Sequence, residues 1–274
     1  MKRKLLYLTI LVLIFLIFKN YTIVLDSTIV AMELWLYKVF PYLFIMIVIN
    51  DLLINANFIS IFKNNTLYIF IMSLLSGTPT SAYIISNLYL QNKISQNNAH
   101  ITLLFTYFSN PLFLYSMLNA IFNSTFITIK LMVIHYLSNI IIWILYRKKL
   151  EYNSHLDNNN NKINLTDSIK KAMSTTTMVL GTITFYLVIS NILNLNIYLR
   201  GILEMTQGLN MLITTNLAFK EIIAIMFISF GGLSIHTQVK CILDEALLDY
   251  KYFFKGRIYQ TIIAILLTIL TSFT

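Results

Sequence analysis

The chain has 274 residues, of which 57% are hydrophobic and only 11% are charged, and its mean hydropathy is +0.72. This composition excludes a soluble domain of that length and predicts an all-α polytopic membrane protein. The formal net charge of +9 does not indicate a nucleic-acid partner. The basic residues lie at the ends of apolar stretches, where the anionic surface of the lipid bilayer attracts them.

The first predicted element is an N-terminal anchor helix over residues 1–25. It has the basic start and apolar middle of a secretion signal, but it ends without a small-residue cleavage site, so we expect it to stay uncleaved. Residues 26–146 form a first membrane repeat, with apolar stretches long enough to span a bilayer near 30–53, 101–122 and 127–146.

A glycine-centred break interrupts the apolar stretch 67–91. It reads Ser76, Gly77, Thr78, Pro79, Thr80 and Ser81. Proline suits an early helical position, and the hydroxyls can serve backbone groups or a ligand. Since lipid-exposed irregular backbone is not tolerated, this break must be buried in protein or line a cavity. We predict a re-entrant hairpin with a binding site at its tip.

The triplet Ser109, Asn110 and Pro111 lies in the middle of the predicted span 101–122. A proline there removes a backbone hydrogen bond and frees carbonyl groups that Asn110 can bridge. The triplet is either a structural kink or a wall of the substrate cavity, and we include Ser109 and Asn110 among the candidate binding residues.

Residues 147–171 are polar, charged and low in complexity, which is typical of a cytoplasmic linker. They precede a second membrane repeat over 172–274 with hydropathy similar to the first. The two repeats are possible inverted copies, each with a broken helix or a re-entrant hairpin. An inverted second hairpin places Lys251, Lys255 and Arg257 outside, against the positive-inside tendency, so the topology of this half stays open.

The second break combines glycines with hydrogen-bonding side chains. Its candidate binding residues are Gly231, Gly232, Ser234, His236 and Gln238. Ser234 and Gln238 are spaced i, i+4 on one helical face, next to a helix N-terminus that carries exposed N–H groups and partial positive charge. Two such termini suit a small anionic substrate. The structural alternatives are hydroxyls that satisfy freed backbone groups and a buried, satisfied imidazole at His236.

Glu204 is a candidate for binding a coupling ion, either a proton or sodium, and His236 is the second candidate. A local ion pair between Glu204 and Arg200, at i, i+4, is the alternative. Glu33, Lys38 and Asp51 are interpreted as charges near the membrane interface. No catalytic motif is present, the single cysteine Cys241 makes no disulfide or cysteine-based metal site, and no enzyme activity, metal or cofactor is expected.

The second break also resembles a known family. Residues 230–239 read F-G-G-L-S-I-H-T-Q-V, which closely resembles the F-G-G-L-S-V-H-x-Q-V signature of the YlbJ-like sporulation integral membrane proteins. Residues 76–82, 109–113 and 203–208 are similar to further segments of that family, although Ser81 replaces a usual glycine and Tyr107 an expected asparagine. The family is grouped with the nucleoside-recognition or Gate domain.

This resemblance implies a multi-pass protein in the mother-cell-derived membrane of a sporulating bacterium, one that moves dipicolinate, a small aromatic dicarboxylate. The leading hypothesis is therefore a transporter or facilitator for such an anion. The alternatives are a non-transporting assembly protein of sporulation and a nucleoside transporter.

Overall fold

The computed structural model describes residues 2–62, 65–151 and 163–272. Every regular element within these ranges is helical, which confirms the all-α fold. The α-helices are α1 Lys2–Lys19, α2 Tyr21–Leu34, α3 Phe40–Asn55, α4 Asn65–Ser76, α5 Thr80–Leu90, α6 Gln96–Leu103, α7 Pro111–Phe122, α8 Thr125–Tyr146, α9 Leu165–Ile192, α10 Ile197–Leu203, α11 Met205–Thr214, α12 Lys220–Phe230, α13 Gly232–Glu245 and α14 Lys251–Ser272.

Several helices are long and apolar enough to cross a membrane. They are Tyr21–Asn55, Thr125–Lys149, Leu165–Ile192, Lys220–Glu245 and Lys251–Ser272. Large apolar side chains cover their outer surfaces: Phe126 is 77% exposed and Leu270 is 65% exposed. Lipid, unlike water, solvates such side chains at no cost, so this is a multi-pass membrane protein.

The N-terminal helices have different limits from those predicted. Helical structure is interrupted at Asn20, between α1 and α2, and α2 continues into α3 through a single π-helical turn, Trp35–Val39. Pro41 follows two residues after that turn and has no N–H to offer the carbonyl four residues earlier, which lies within the turn. A widened turn accommodates this missing hydrogen bond without ending the helix.

Helices α4 and α5 form the predicted hairpin in the first half. The Asn65 side chain at the start of α4 donates to the carbonyl of Lys93, just beyond the end of α5, at 2.6 Å. The two arms therefore run antiparallel. They have 12 and 11 residues, and at about 1.5 Å per residue neither can cross a hydrocarbon core of about 30 Å. We call this element hairpin 1.

In the second half the structure decides between the two predicted alternatives. The break at Gly231 is a broken helix, an interruption within the long helix Lys220–Glu245, and not a hairpin tip. A hairpin does occur in this half, between α10 and α11, which pack against each other and turn at Glu204. We call it hairpin 2. Each half thus contains one hairpin followed by one interrupted helix, while an origin of the halves as repeats stays a prediction.

The predicted span 101–122 is also interrupted. Helix α6 ends at Leu103 and α7 starts at Pro111, with non-helical backbone over 104–110. Pro111 therefore does not kink a helix but begins one, where its missing N–H costs nothing. Asn110 does not bridge freed carbonyls: its side-chain oxygen accepts from the N–H groups of Leu112 at 2.9 Å and Phe113 at 3.3 Å. It caps α7.

The central connection lies partly outside the described residues. Helix α8 continues as a 3₁₀ turn to Lys149, and α9 begins at Leu165, so the last residues of the predicted linker 147–171 are helical. Residues 152–162 of that linker are not among those described. The two halves pack closely together, since α3 lies along α9 and α8 lies along α14.

Asp51, which was expected near the membrane interface at the end of a span, joins three helices. It is fully buried in α3. Its carboxylate accepts from the Tyr83 hydroxyl of hairpin 1 at 2.9 Å, and from Ser168 at 2.7 Å and Lys171 at 2.9 Å, both on α9. These charge-assisted hydrogen bonds fix hairpin 1 to the surrounding spans.

Contacts between loops identify one end of the molecule. The amide of Glu151, after α8, donates to the Asn98 side chain at 2.9 Å, and the amide of Asp249, before α14, donates to His100 at 3.1 Å. The ends of α8 and α13 and the start of α6 are therefore neighbours. Because Lys220–Glu245 crosses as one span, Lys251 lies at the same end as the basic residues 147–149. An inverted hairpin would have placed Lys251 at the opposite end, so the conflict with the positive-inside tendency is removed.

Candidate functional site

Four interruptions of helical backbone meet at one place, which we call the junction: residues 77–79, 104–110, 203–205 and 230–232. Within it the amide of Thr78 donates to the carbonyl of Phe108 at 2.9 Å. A Cβ added to Gly77 would lie 2.9 Å from the backbone nitrogen of Asn110. One added to Gly232 would lie 2.9 Å from that of Met205. Each hairpin tip thus touches the interrupted helix of its own half.

The two halves also meet at the junction. A Cβ on Gly231 would collide with the hydroxyl of Tyr107, so the second break packs directly on the unwound segment of the first half. Glycine is required here for two reasons: the backbone approach is close, and Gly231 and Gly232 have φ angles of +89° and +72°.

A cavity of about 100 Å³ opens beside the junction. Lys38 and Tyr42 lie at its outer side, and both are exposed on the surface. Apolar side chains of α3, α7 and α9 and polar groups of the junction form the remaining walls. The lining residues are Lys38, Val39, Tyr42, Leu43, Ser76, Thr78, Pro79, Ser109, Asn110, Phe113, Val179, Ile183, Glu204, Met205, Thr206, Ile235 and Gln238.

The predicted site residues divide into two groups. Thr78, Pro79, Ser109, Asn110, Glu204 and Gln238 line the cavity. Gly77, Thr80, Ser81, Gly231, Gly232, Ser234 and His236 lie behind this wall and contribute no lining surface. Gln238 is held in place by two neighbours, since its amide nitrogen donates to Thr182 at 2.9 Å and to Ser234 at 3.2 Å.

Helix α8 satisfies the unwound backbone of the first half. The Asn139 amide donates to the carbonyl of Tyr107. The amide of Ser109 donates to the Nε2 atom of His135 at 3.2 Å, and the Tyr136 hydroxyl donates to the carbonyl of Ser109 at 3.2 Å. The non-helical segment is therefore stable within a membrane because side chains replace its missing helical partners.

Helix α14 contributes Arg257 to the same segment. This arginine, which the sequence analysis considered only as a charge that bears on topology, is fully buried. It donates to the carbonyl of Leu104 at 3.2 Å and to the side chain of Gln260. Its guanidinium carbon lies 4.1 Å from the ring centroid of Tyr107 and 5.2 Å from that of Phe253, a cation–π arrangement.

These residues of α8 and α14 were missed by the sequence analysis. The sequence analysis gave no site role to any of them. The available signal was spacing: His135 and Asn139 are four residues apart, and Arg257 and Gln260 are three apart, on helices that are mostly apolar. Such spacing places each pair on one face, directed toward protein and away from lipid.

Glu204 caps hairpin 2 instead of pairing with Arg200. Its carboxylate accepts from the Thr206 hydroxyl and from the amide of Gln207 at 2.7 Å, at the N-terminus of α11. Arg200 donates to the carbonyl of Leu195 at 2.5 Å and to an asparagine side chain. The chain's own carboxylate thus occupies one of the helix N-termini at the cavity, and Glu204 is 3% exposed there.

His236 has a different environment from Glu204. Its Nε2 atom lies 3.0 Å from the carbonyl of Phe230, which the second break leaves without a helical partner, and its Nδ1 atom lies 2.5 Å from the Tyr250 hydroxyl. Aromatic rings surround the imidazole. Because only Glu204 lines the cavity, it is the better placed of the two candidates for a coupling group.

The fold and the junction define a class of protein: a multi-pass, all-α membrane protein with two short hairpins and two interrupted helices around a central cavity. Over an alignment of 302 positions the chain is 24% identical to the sporulation integral membrane protein YlbJ of Bacillus subtilis (strain 168), and the alignment covers 85% of this chain and 74% of that protein. This similarity supports the resemblance to the YlbJ-like proteins. No family model and no solved structure matches the chain.

Proposed function

We propose that the protein is a transporter or facilitator for a small organic anion of the dipicolinate type and that it acts in endospore formation. The sporulation context comes from the similarity to YlbJ, which is named as a sporulation integral membrane protein. The observation that carries the transport proposal is the meeting of four backbone interruptions beside one cavity. Discontinuous helices around a central site are the construction by which many secondary transporters bind their substrates.

The helix ends at the junction favour an anionic substrate. Helix α5 begins at the cavity wall, and no side chain caps its N-terminus. The N-terminus of α13 is also without a side-chain cap. Free N–H groups and the positive end of the helix dipole attract carboxylates. Lys38 at the outer side of the cavity adds a positive charge on the entry path.

Glu204 is the proposed coupling group. A buried carboxylate in the cavity wall would repel a dicarboxylate substrate if it stayed ionised and unpaired. Binding of a proton or a sodium ion at Glu204 removes that repulsion, so substrate and coupling ion favour each other's binding. This is the physical basis of cotransport.

Uptake by proteoliposomes tests the proposal. Vesicles with the full-length protein should accumulate labelled dipicolinate faster than empty vesicles, and unlabelled nucleosides should not compete. Thr78→Val, which removes a hydroxyl from the cavity wall, should slow uptake several-fold, whereas Thr9→Val, on the peripheral helix α1, should not. Absence of uptake by the wild type would favour a non-transporting assembly role, and competition by nucleosides would favour the nucleoside alternative.

A further inference from the structure

Lys38 is the positively charged side chain of the cavity wall. Among the described residues that line the cavity, it is the only cation and Glu204 is the only carboxylate. Within the ranges that the structure describes, Lys38 forms no ion pair with Glu204 or with Glu33 on its own helix. The protein therefore does not neutralise the positive charge at the outer side of the cavity.

Lys38 lies inside a membrane span and away from its ends. The sequence analysis interpreted it as a charge near the membrane interface, but it is the middle residue of the 35-residue helix Tyr21–Asn55. About 25 Å of helix separates it from either end. A lysine that only reaches for the interface is expected close to the end of a span. An ionisable side chain in the middle of a span is costly in lipid, so its position calls for a function.

The backbone around Lys38 presents this side chain to the cavity. The residue belongs to the π-helical turn Trp35–Val39, and such widened turns are frequent at functional sites. The Trp35 indole N–H donates to the carbonyl of Thr176 at 2.8 Å, which holds the turn against α9. Lys38 and Tyr42, four residues apart, both line the outer side of the cavity. The fold thus fixes the point from which the ammonium group extends.

The other side chains of the wall suit an apolar molecule but do not select for a negative charge. The apolar lining residues are Val39, Leu43, Phe113, Val179, Ile183, Met205 and Ile235. The hydroxyl groups of Thr78, Ser109 and Thr206 are neutral and can serve an anion or an uncharged molecule. Glu204 opposes an anion while it is ionised. Lys38 is therefore the lining side chain that can distinguish an anion from a neutral molecule of the same shape.

We propose that Lys38 binds a carboxylate of the substrate directly and determines the specificity of the cavity for anions that have an apolar body. The ammonium group forms an ion pair with the carboxylate at the outer side, while the apolar walls contact the ring. A partly buried pair beside lipid is screened less than one in bulk water, so it contributes to affinity as well as to entry. This inference rests on the proposed function, because it names the specificity residue for the same substrate class.

Binding measurements on the purified protein in detergent test the proposal. The probes are dipicolinate and pyridine-2,6-dicarboxamide, an uncharged molecule with the same ring and a similar shape, each titrated calorimetrically. Lys38→Gln should weaken dipicolinate binding about tenfold, as expected for loss of a hydrogen bond between charged groups. It should leave binding of the dicarboxamide within about twofold of the wild type, so the preference for the anion falls.

Two further variants separate the charge from other effects of the substitution. Lys38→Arg keeps the positive charge and should keep most of the preference for dipicolinate. Lys19→Gln is the matched control, since it removes an exposed lysine at the end of α1, outside the cavity lining. This control should bind both probes as the wild type does. The ratio of the two affinities is the readout, because a smaller folded fraction does not change it.

The remaining outcomes are equally decisive. An unchanged ratio in Lys38→Gln, or an equal fall in Lys19→Gln, would overturn the inference, while uptake by the wild type would still support the proposed function. Binding that depends on the charge of Lys38 without any uptake would support the inference and refute transport. Failure of the wild type to prefer dipicolinate over the dicarboxamide would refute the inference directly.

Discussion

Replacement of Gly232 by alanine tests whether the junction holds hairpin 2 against the interrupted helix. Gly232 has a φ of +72°, and an added Cβ would lie 2.9 Å from the nitrogen of Met205 and 3.4 Å from the Cα of Glu204. Both atoms belong to backbone, which cannot rotate away as a side chain would. The methyl group must therefore displace the tip of hairpin 2 or shift the start of α13.

The expected cost follows from these two effects. A left-handed conformation of a residue with a Cβ costs about 1–2 kcal/mol. Forcing an extra methyl group into a packed region costs typically ~1–3 kcal/mol more. Gly232→Ala should thus lower the free energy of unfolding by roughly 2–5 kcal/mol.

Gly181→Ala is the matched control. Gly181 lies within α9, and nothing beyond its chain neighbours and the backbone of its own helix lies within 4 Å of the position its Cβ would take. Alanine in a helix interior is favoured over glycine by up to ~1 kcal/mol, so this variant should be as stable as the wild type or slightly more stable. Both changes add the same methyl group, and only one of them adds it at the junction.

Thermal unfolding of both variants in detergent, followed by circular dichroism at 222 nm, measures the difference. Gly232→Ala should unfold several degrees lower, since ~1 kcal/mol corresponds to roughly 2–4 °C for a chain of about this size. It should also slow dipicolinate uptake, because the displaced tip carries Glu204. If the unfolding temperature of Gly232→Ala is no lower than that of Gly181→Ala, the close contact between hairpin 2 and the second break is refuted.

Three further results are expected. Asp51→Ala should reduce the free energy of unfolding in mixed micelles by ~1–3 kcal/mol, because the buried Tyr83 hydroxyl loses its acceptor and Lys171 loses its partner. Asp244→Ala, which breaks an exposed ion pair, should cost at most ~1 kcal/mol. Equal losses would contradict the proposed anchoring of hairpin 1. Glu204→Gln should keep the side-chain cap on α11 and an unchanged unfolding temperature. It should abolish the stimulation of uptake by an imposed proton or sodium gradient. Undiminished stimulation would show that Glu204 is not the coupling group. In a cysteine-free background, an impermeant thiol reagent added outside intact cells should label Asn216→Cys but not Leu247→Cys. Leu247 follows the span Lys220–Glu245 at the end of the molecule with the basic residues 147–149, and the positive-inside tendency places that end in the cytoplasm. Labelling of Leu247→Cys alone would show the opposite topology.

Much of the architecture could be predicted from local patterns. Apolar runs long enough to span the bilayer predicted the all-α membrane fold, and Gly77 with Pro79 predicted the tip of hairpin 1. The Gly231–Gly232 pair correctly marked a break in helical backbone. These features are local: helix length, glycine conformation and proline chemistry depend on a few consecutive residues.

The sequence left alternatives open where two structures share one local signal. A glycine break between apolar runs is equally consistent with a hairpin and with an interrupted span, and only the structure showed that the second break is an interrupted span. Hairpin 2 had no glycine at its tip to reveal it, because the turn at Glu204 is stabilised by a side-chain cap. Pro111 was placed inside a continuous span, as part of either a kink or a cavity wall, because a helix start and a kink look alike within an apolar stretch.

Local patterns were enough to predict that the chain crosses a membrane, that its backbone breaks near Gly77 and Gly231, and that Glu204 and Gln238 are candidate site residues. The packing of the helices was needed to show that four interruptions share one junction, that His236 lies behind the cavity wall, and that Arg257 lies beneath Tyr107. These contacts join residues that are far apart along the chain. Leu104 and Arg257 are joined by one hydrogen bond although 153 residues separate them, and no local pattern encodes which helix supplies the partner for a freed carbonyl.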